Sequence, residues 1–586
     1  MGIKINEVTA KDGTKIMELH VDDKVYRMNS IYKPYIEAEK YLTQLEDLEQ
    51  DSLLIVFGYG NGIFPNAIWN RFASTTIIFY EPGLVIRQYA EEQGLLDDFV
   101  NRKNSFFVSP DFSNTRQGFY STSEFPILLE QMITYTNYEK IKYLALPKYR
   151  EIFAEEYQIF EEQVQYRIKK LQANMATAKK MGHDAVVNNI INLTYVPDSY
   201  CADSFVNIFP KDMPAIIVSS GPSLEKNVHY LQDAKGHALI LCVDTAVKYL
   251  LNENVVPDII VSEDPKIALS NFDDSRIAGI PVLGSLDMNY QVLEKMKGSK
   301  VIFASTENTY VQNLYKIANH KINRLRSGGS VSTLSFSLCI YWGFRRIILI
   351  GQDLALTGNQ MYAGQKEFSV NDVEKEILEV EDVNGNKIFT YSDYYSYLKW
   401  LEQEIVMYPE VEIIDATEGG AKIRGTHIMT FRDALKQYAN NSYNVTEQLY
   451  SIPSAFNKEQ KKMVTGKILD SVKALEILQN KLVQVIKLTK RAGKEEAITD
   501  NKRCIEIDRE IQGICEYYDK LDEGYVIQRE IDATELETFM AIFEQKQNET
   551  KQEQYEKLHA YFECLLRATN RVYDEWKKLD KDAIVS

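Results

Sequence analysis

The chain has 586 residues, which is too long for one hydrophobic core and predicts three or four domains. Apolar residues make up 45% and charged residues 26%, a composition typical of globular proteins. The net charge of −17 argues against nucleic acid as a partner, because neutralising phosphates requires a basic face. Six scattered cysteines, no signal peptide and no long apolar run predict a reduced cytoplasmic protein without membrane insertion.

Residues 1–150 have the pattern of an N-terminal α/β domain of the Rossmann-like type. A strand over 52–57 leads into the glycine turn 58–62, and a second strand over 76–80 ends at Glu81. An acid about twenty residues beyond a glycine turn is typical of nucleoside-binding folds, where it binds the ribose. A turn that needs glycine only for its geometry gives the same pattern, and a methyltransferase site here is a further alternative.

The rest of the chain divides into three predicted regions. Residues 151–205 have helical spacing and form a connector, 206–430 form a central α/β domain, and 431–586 are almost purely helical. Apolar side chains recur there at steps of three and four, which predicts amphipathic helices packed as a small bundle, with protein docking as the alternative. The two stripes are Val464, Ile468, Val472, Leu475, Leu482, Ile486 and Tyr555, Leu558, Phe562, Leu565, Val572, Trp576.

The central domain opens with the most informative segment of the chain, residues 215–224. An apolar run breaks at Ser219 into a Ser-Gly-Pro-Ser turn, and a helix-compatible segment, 225–231, follows. The first amides of a helix lack internal partners, so such a strand-to-helix corner suits a phosphate group. It is not a Walker loop, since no Gly-Lys-Ser/Thr follows the glycine. A turn that holds glycine, proline and serine only for geometry is the alternative.

Five further apolar runs follow, and each ends in polar residues. Their spacing predicts buried parallel strands, and in open α/β sheets ligands bind beyond the carboxyl ends of such strands. The strand ends therefore predict one binding cleft, to which Ser285 and Thr306 also belong. The runs and the clusters that follow them are 238–243 with Asp244 and Thr245, 259–261 with 262–265, 281–283 with 284–287, 301–303 with 305–307, and 347–350 with 351–353.

A second glycine corner, Arg326-Ser-Gly-Gly-Ser-Val-Ser-Thr333, precedes a predicted helix over 331–342. Its glycines and hydroxyls predict another set of free amides beside the same sheet, and Arg326 could add a positive charge for an anion. Asp353 follows the last strand of the sheet and could accept a hydrogen bond from a sugar hydroxyl. A third polar cluster, 417–427, closes the domain. The structural alternative for each loop is that it serves geometry alone.

Taken in order, these motifs resemble those of the motility accessory factor (Maf) flagellin glycosyltransferases. The resemblance is carried by S-S-G-P-S-L-x-x-N, V-D-T, D-x-x-V-S-E-D-P, S-G-G-S-V-S, G-Q-D-L-A and T-E-G-G-A-x-I-x-G-T, and it covers most of the chain. It implies a central domain similar to bacterial sialyltransferases. It also implies transfer of a nonulosonic acid, of the pseudaminic or legionaminic kind, from a CMP-activated donor to Ser or Thr of flagellin, with no obligatory cofactor.

Two alternatives to this activity remain open. Related archaeal proteins with a similar turn are hydroxymethylpterin pyrophosphokinases, which need Mg²⁺ to bridge ATP phosphates, and Asp258, Glu263 and Asp264 could hold that ion. The other alternative is a non-enzymatic adaptor that binds flagellin through the C-terminal helices. The sequence contains no metal-ligand motif that would demand a bound metal, and it leaves the oligomeric state unassigned.

The resemblance also assigns site residues. His320 and His427 are the candidate bases, Tyr362 is a candidate phosphate contact, and Asp353 joins them as a candidate catalytic residue. The residues expected to bind the nucleotide sugar lie in the loops described above. They are Ser219, Ser220, Gly221, Pro222, Ser223, Asn227, Asp244, Thr245, Asp264, Ser327, Gly328, Gly329, Ser330, Gly351, Gln352, Glu418 and Gly419, together with Ser285 and Thr306 from the strand ends.

Overall fold

The computed structural model contains two compact units. The first comprises Met1–Met175 with Met540–Thr550, and the second comprises Ala176–Phe539 with Lys551–Ser586. The predicted domain boundary at 430 falls inside the second unit. The residues that the structure describes are 2–48, 52–97, 99, 102–112, 117–304, 307–322, 325–356, 363–364, 376–493, 501–543 and 549–579.

The first unit has an antiparallel and a parallel sheet. Its strands are β1 (Ile3–Thr9), β2 (Lys15–Val21), β3 (Lys24–Arg27), β4 (Leu53–Phe57), β5 (Thr76–Tyr80), β6 (Ser105–Ser109), β7 (Phe119–Ser121) and β8 (Ile141–Ala145). Strands β1 to β3 form an antiparallel meander, and the parallel sheet has the order β7-β6-β5-β4-β8. Every side chain of β4 is buried, which explains its unbroken apolar run. The two strands predicted from sequence correspond to β4 and β5.

The second unit is built on a nine-stranded parallel sheet. Its strands are β9 (Tyr200–Cys201), β10 (Ala215–Val218), β11 (Leu239–Val243), β12 (Ile259–Val261), β13 (Val282–Gly284), β14 (Val301–Phe303), β15 (Arg346–Ile350), β18 (Glu412–Asp415) and β19 (His427–Ile428). The order is β19-β18-β15-β10-β11-β12-β13-β14-β9, and β16 (Ile377–Glu381) pairs with β17 (Lys387–Tyr391) in a separate hairpin. All six predicted strands are present, and three more extend the sheet at its edges.

This strand order reverses direction beside β10. The chain runs outward from β10 through β11, β12, β13 and β14, and then returns to place β15 on the other side of β10. Ligands in open α/β sheets bind outside the carboxyl ends of the strands at such a switch point. The loops that follow β10 and β15 are therefore the first place to look for a site.

Helices cover both sheets. Those of the first 175 residues are α1 (Pro34–Tyr41), α2 (Ile63–Arg71), α3 (Leu84–Glu92), α4 (Phe125–Met132) and α5 (Tyr149–Ile152), followed by the long α6 (Ala154–Asn192). The central helices are α7 (Leu224–Asn227), α8 (Leu231–Ala234), α9 (Val247–Asn252), α10 (Tyr290–Lys295), α11 (Thr309–Lys316), α12 (Val331–Tyr341), α13 (Ser392–Met407), α14 (Phe431–Tyr438) and α15 (Val445–Ser451). The predicted helix over 331–342 corresponds to α12.

The helix predicted over 225–231 is broken. Only one α-helical turn, α7, forms after the Ser-Gly-Pro-Ser turn, and a 3-10 turn over Val228–Tyr230 separates it from α8. The chain leaves helical geometry at Asn227, where φ is −128°. The side-chain amide of this residue is buried and donates to the carbonyl oxygen of Ala416 at 3.0 Å. A tertiary hydrogen bond thus overrides local helix propensity.

Five helices complete the chain, and the bundle that they form packs against the central sheet domain. They are α16 (Lys458–Ala492), α17 (Asn501–Asp519), α18 (Gly524–Thr534), α19 (Leu536–Phe543) and α20 (Lys551–Lys577). The predicted stripes face each other across α16 and α20, and Trp576 donates its indole N–H to the carbonyl of Ile468 at 3.0 Å. Tyr310 of α11 contacts the Trp576 ring edge-on and hydrogen-bonds Ser471 at 2.9 Å.

The predicted fold class is confirmed by this architecture, with a Rossmann-like sheet, a larger parallel α/β domain and an all-helical C-terminal region. Among the described helices, none combines the length and apolarity that crossing a bilayer requires. Among the described residues no disulfide joins two cysteines, and Cys242 and Cys339 are fully buried in the core as expected of small apolar side chains.

Candidate functional site

Two loops meet at the switch point of the central sheet, one after β10 and one after β15. The amide of Ser219 donates to the carbonyl of Ile350 at 3.0 Å, and the Ser219 hydroxyl donates to Oε1 of Gln352 at 2.7 Å. Ser223 donates its hydroxyl to the Asp353 carboxylate at 2.6 Å, and its amide also points to this carboxylate at 3.2 Å. The two loops predicted to share a cleft are therefore directly bonded.

Glycine is required where these loops cross. A Cβ atom on Gly221 would lie 2.1 Å from Oδ2 of Asp353 and 2.5 Å from the carbonyl oxygen of Gly351. Gly351 itself has a φ of +62°, and a Cβ there would lie 2.2 Å from the carbonyl oxygen of Ser219. Neither position can accept a side chain without moving backbone. The glycines of the two motifs thus serve the contact between the loops.

Most amides of the first turn are already engaged. The amide of Gly221 donates to Gly351 at 2.8 Å, and that of Ser223 donates to Asp353. The sequence predicts these amides to be free for phosphate, and the structure instead uses them to join the two loops. Ser220 differs, because it is partly exposed and its amide makes no hydrogen bond within the described parts of the chain. Its hydroxyl lies 2.8 Å from that of Thr245.

The loop after β18 packs against the backbone of Asp353. A Cβ on Gly420 would lie 2.3 Å from the carbonyl oxygen of Asp353, so this close packing also requires glycine. Gly419 lies against Ser223, and Lys226 donates to the carbonyl of Glu418 at 2.7 Å. The Glu418 carboxylate accepts the amide of Phe431 at 3.0 Å, so it is used within its own loop.

Asp415, at the end of β18, is a buried carboxyl behind Asp353. Burial raises the pKa of Asp415 to about 6, the charge of Asp353 adds to this effect, and the hydrogen bond from the Thr417 amide opposes it. One carboxyl oxygen of Asp415 has no hydrogen-bond partner among the described residues, and neither do the side-chain oxygens of Thr417 and Asn227. A carboxyl beside a second carboxyl in low dielectric holds its proton more tightly.

On the other side of β10, the ends of β11 and β12 form the floor of the site. Asp244 is 1% exposed, accepts the hydroxyl of Ser262 at 2.9 Å and caps the amide of Thr245 at 2.8 Å. Burial raises the pKa of Asp244 to about 7, and the negative charge of Asp264 contributes. The predicted residues Asp244 and Thr245 therefore lie beside the turn at Ser220, which the hydroxyl of Thr245 contacts.

Carboxylates continue along the rim at β12 and β13. Glu263 and Asp264 follow β12, and the buried Ser285 and the partly exposed Asp287 follow β13. Burial raises the pKa of Glu263 to about 7, with the charges of Asp287 and Asp244 adding to the effect and that of Arg529 opposing it. Arg529, on helix α18, donates to Oδ2 of Asp287 at 2.9 Å. The C-terminal bundle thus contributes a cation to this rim.

Three asparagines of α6 hold the loop after β13, and the sequence reasoning did not single them out. Asn188 and Asn192 donate to backbone carbonyls of the loop, the latter to Leu286 at 2.9 Å, and Asn189 donates to Oδ1 of Asp287 at 3.0 Å. All three are buried. The signal was available, since asparagine is rare in helix interiors unless its amide is used, and the segment reads Asn-Asn-Ile-Ile-Asn.

The second glycine corner is satisfied by its own residues. Ser330 caps α12 by accepting the amide of Thr333, and the Thr333 hydroxyl accepts the amide of Gly328 at 3.0 Å. The hydroxyl of Ser327 accepts the amide of Gly329 at 3.3 Å. Helix α12 packs on β10 and β11 and returns to the start of β15, so it begins at the carboxyl edge of the sheet.

Arg326 does not offer its charge to a ligand here, because it forms a 3.0 Å ion pair with the buried Glu404 of α13. Among the described residues, no hydrogen bond joins the corner 327–330 to the turn 219–223. The two corners share one edge of the sheet, but their polar groups are engaged separately. Direct contacts therefore do not join the two corners into the single binding cleft that the sequence predicts.

The candidate bases lie elsewhere in the second unit. His320 follows the C-terminus of α11, and its Nε2 lies 2.8 Å from the carbonyl oxygen of Ala455. His427 belongs to β19 at the outer edge of the sheet and is exposed. The structure does not bring either histidine to the switch point. The predicted residues Tyr362 and Thr306 lie outside the described residues.

The magnesium ligands proposed from sequence are also divided. Asp258 precedes β12 and pairs with Lys235 at the amino end of the sheet, whereas Glu263 and Asp264 follow the carboxyl end of the same strand. One ion cannot bridge both ends of a strand. Within the described ranges, no group of three His, Cys, Asp or Glu side chains has a metal-binding arrangement.

The glycine turn of the N-terminal unit is filled by the protein itself. Oε2 of Glu81 accepts the amide of Tyr59 at 2.8 Å and the hydroxyl of Tyr149 at 2.5 Å, while Oε1 accepts the amide of Gly83 at 2.8 Å. A Cβ on Gly58 would lie 2.7 Å from the Tyr149 ring. Burial raises the pKa of Glu81 to about 7, against four hydrogen bonds that lower it. The acid expected to meet a ribose instead binds its own turn.

Comparison with known proteins places both loops of the switch point in one matched region. Residues 187–359 match the family model of 6-hydroxymethylpterin diphosphokinase MptE-like proteins. The whole chain is similar in fold to the MAf glycosyltransferase from Magnetospirillum magneticum AMB-1, with a TM-score of 0.62 and 13% identity, over 100% of this chain and 95% of that one. No protein with a curated description matches the sequence. The resemblance predicted from the motifs is confirmed at the level of the fold.

Proposed function

We propose that the protein is a glycosyltransferase that moves a nonulosonic acid from a CMP-activated donor to Ser or Thr hydroxyls of flagellin. The observation that carries the proposal is the full-length similarity in fold to the MAf glycosyltransferase, which extends over all domains rather than over the sheet alone. Sheet topology by itself would not distinguish enzyme classes, because one fold supports many chemistries.

In this proposal the donor binds at the switch point between β10 and β15. The amide and hydroxyl of the partly exposed Ser220 and the hydroxyl of Thr245 are donors for the phosphate of the CMP group. The buried contacts of Asp353 with Ser223 hold the two loops in one geometry, so these donors are fixed before the ligand arrives. CMP is a good leaving group, so the proposed transfer does not require a metal.

A pyrophosphokinase is the second candidate, because the family model that matches 187–359 is described by that activity. Such an enzyme would bind ATP together with Mg²⁺ and transfer a diphosphate to a pterin hydroxyl. The two candidates share the switch point and differ in the nucleotide that they stabilise.

Thermal unfolding of the full-length protein with each nucleotide distinguishes them. A ligand at 100 times its Kd stabilises the folded state by about 2.7 kcal/mol. We expect CMP to raise the melting temperature by several degrees and ATP with Mg²⁺ to leave it unchanged. The opposite preference would support the pyrophosphokinase and contradict the transferase.

A variant test separates both enzymes from the non-enzymatic adaptor. In the double variant Ser220→Ala and Thr245→Val, the hydroxyls proposed to meet the phosphate are removed while the buried loop contacts remain. We expect loss of the CMP response and of flagellin modification in cells. If flagellin modification and assembly persist with the variant, the site has no enzymatic role in them, and the adaptor is the better description.

A further inference from the structure

Glu263 lies next to the residues that form the proposed donor site. Strands β11 and β12 pair in parallel register, with Val243 opposite Val261. Continued one residue, this register places Asp244 opposite Ser262, and the hydrogen bond between these two side chains agrees with it. Glu263 follows Ser262 directly, and its amide donates a hydrogen bond to the Asp244 carboxyl, so Glu263 lies beside the turn that Asp244 and Thr245 form.

The carboxyl group of Glu263 differs from its acidic neighbours, because none of the described residues forms a hydrogen bond with it. Asp244 is bound by Ser262, Asp287 is bound by Asn189 and Arg529, and Asp264 accepts the amide of Lys266 at 2.8 Å. No hydrogen bond or ion pair to the Glu263 carboxyl is made within the parts of the chain that the structure describes. The residue as a whole is partly exposed, whereas Asp244 is buried.

We infer that Glu263 is the general base that accepts the proton of the acceptor hydroxyl. The inference rests on the proposed transferase function and names the residue that performs one step of it. The acceptor oxygen forms a bond to the anomeric carbon of the sugar, and its proton moves to the Glu263 carboxylate. The bond from that carbon to the phosphate oxygen breaks, and its electron pair leaves with CMP.

The surroundings of Glu263 suit this role. The groups that face it are Asp244 from β11, Asp287 from the loop after β13 and Arg529 from α18, two negative charges and one positive. Burial and the two carboxylates raise the pKa of Glu263 to about 7, and Arg529 limits the rise. A base is most effective when its pKa lies near the working pH, because it is then both deprotonated and a good proton acceptor.

The test uses full-length protein, a CMP-activated nonulosonic acid and flagellin, with Glu263→Gln compared against Glu253→Gln. Glu253 is exposed and ends α9 at the other end of the connection between β11 and β12, so it controls for the same charge change. We expect Glu263→Gln to lower kcat about 10²–10⁴-fold, the range typical of a general base. The CMP-induced rise in melting temperature should stay within experimental error of the wild type, and Glu253→Gln should retain full activity.

A pH profile and chemical rescue give readouts that a merely structural residue would not move. Wild-type kcat/KM should rise tenfold per pH unit up to about pH 7 and then level off, because the base must be deprotonated. Asp244 titrates in the same range, so the pH profile of Glu263→Gln must be measured as well to assign the transition to Glu263. Formate should restore activity to Glu263→Ala, with a profile shifted to the lower pKa of formate.

The outcomes separate the two proposals. If the wild type binds CMP and transfers the sugar but Glu263→Gln is equally active, the base assignment is wrong and the transferase stands. If the wild type neither binds CMP nor transfers sugar, the proposed function fails first. Should Glu263→Gln fold poorly, the charge-conserving Glu263→Asp decides, since a base moved by one methylene lowers kcat while KM stays unchanged.

Discussion

The chain contains two glycine turns, each at the switch point of a parallel sheet, and different groups occupy the space beside each turn. In the N-terminal sheet, the turn after β4 is filled by the carboxylate of Glu81 and the hydroxyl of Tyr149. In the central sheet, Asp353, which follows β15, accepts hydrogen bonds from Ser223, and Ser220 and Thr245 stay partly exposed beside this contact. The polar groups of the first turn are thus satisfied by internal partners. Those of the second turn are satisfied on the side of Asp353 only.

The comparison teaches that a glycine turn beyond a parallel strand does not by itself predict a ligand. Free backbone amides attract anions, and a protein carboxylate satisfies them as well as a phosphate does. What distinguishes the central turn is the adjoining polar surface, which comprises the hydroxyls of Ser220 and Thr245 and the carboxyl of Glu263. In the N-terminal turn, the ring of Tyr149 packs against Gly58, and its hydroxyl accepts the amide of Gly60 at 2.9 Å.

The largest effect is expected from Gly221→Ala. The added methyl group would lie 2.1 Å from the Asp353 carboxylate and would force the β10 and β15 loops apart. We expect a loss of at least about 3 kcal/mol of stability and no CMP response. Gly466→Ala is the matched control, since it lies inside helix α16 with no atom within 4 Å, and it should stabilise the protein by about 0.5–1 kcal/mol. Equal stability of the two variants would contradict the described loop contact.

A smaller effect separates the two turns directly. Tyr149→Phe removes one hydrogen bond from the buried Glu81, and Ser223→Ala removes one from the buried Asp353. Each should cost about 1–3 kcal/mol, measured by denaturant unfolding, because a buried carboxylate loses a donor. CMP binding, measured by calorimetry, should persist in Tyr149→Phe and weaken at least tenfold in Ser223→Ala. If Tyr149→Phe lost CMP binding and Ser223→Ala kept it, the nucleotide would bind at the N-terminal turn, and the proposed site would be wrong.

The sequence predicted the six inner strands of the central sheet and two strands of the first unit, because these buried strands carry unbroken apolar runs. Strand β12 matches its prediction residue for residue, and β10, β11, β13 and β15 do so within one residue at each end. The edge strands β9 and β19 were missed, since each has only two residues and His427 is exposed. The helix after the first turn was overpredicted, because the bond from Asn227 to Ala416 is tertiary and leaves no local pattern.

The site was predicted in part. The meeting of Ser219–Ser223 with Gly351–Asp353 follows from strand order, which the runs of apolar residues indicate but do not fix. The contribution of Arg529 could not be predicted, because it comes from a helix more than two hundred residues away in sequence. The histidines were chosen for their chemistry alone, and His320 lies against Ala455 instead.

We propose above that the nucleotide binds at the switch point of the central sheet. Hydrogen–deuterium exchange of the full-length protein with and without CMP tests it most directly, because both turns are followed in one experiment. We expect CMP to slow exchange in peptides covering 219–224 and 244–246 and to leave 58–62 unchanged. Protection of 58–62 with no change at 219–224 would contradict the account.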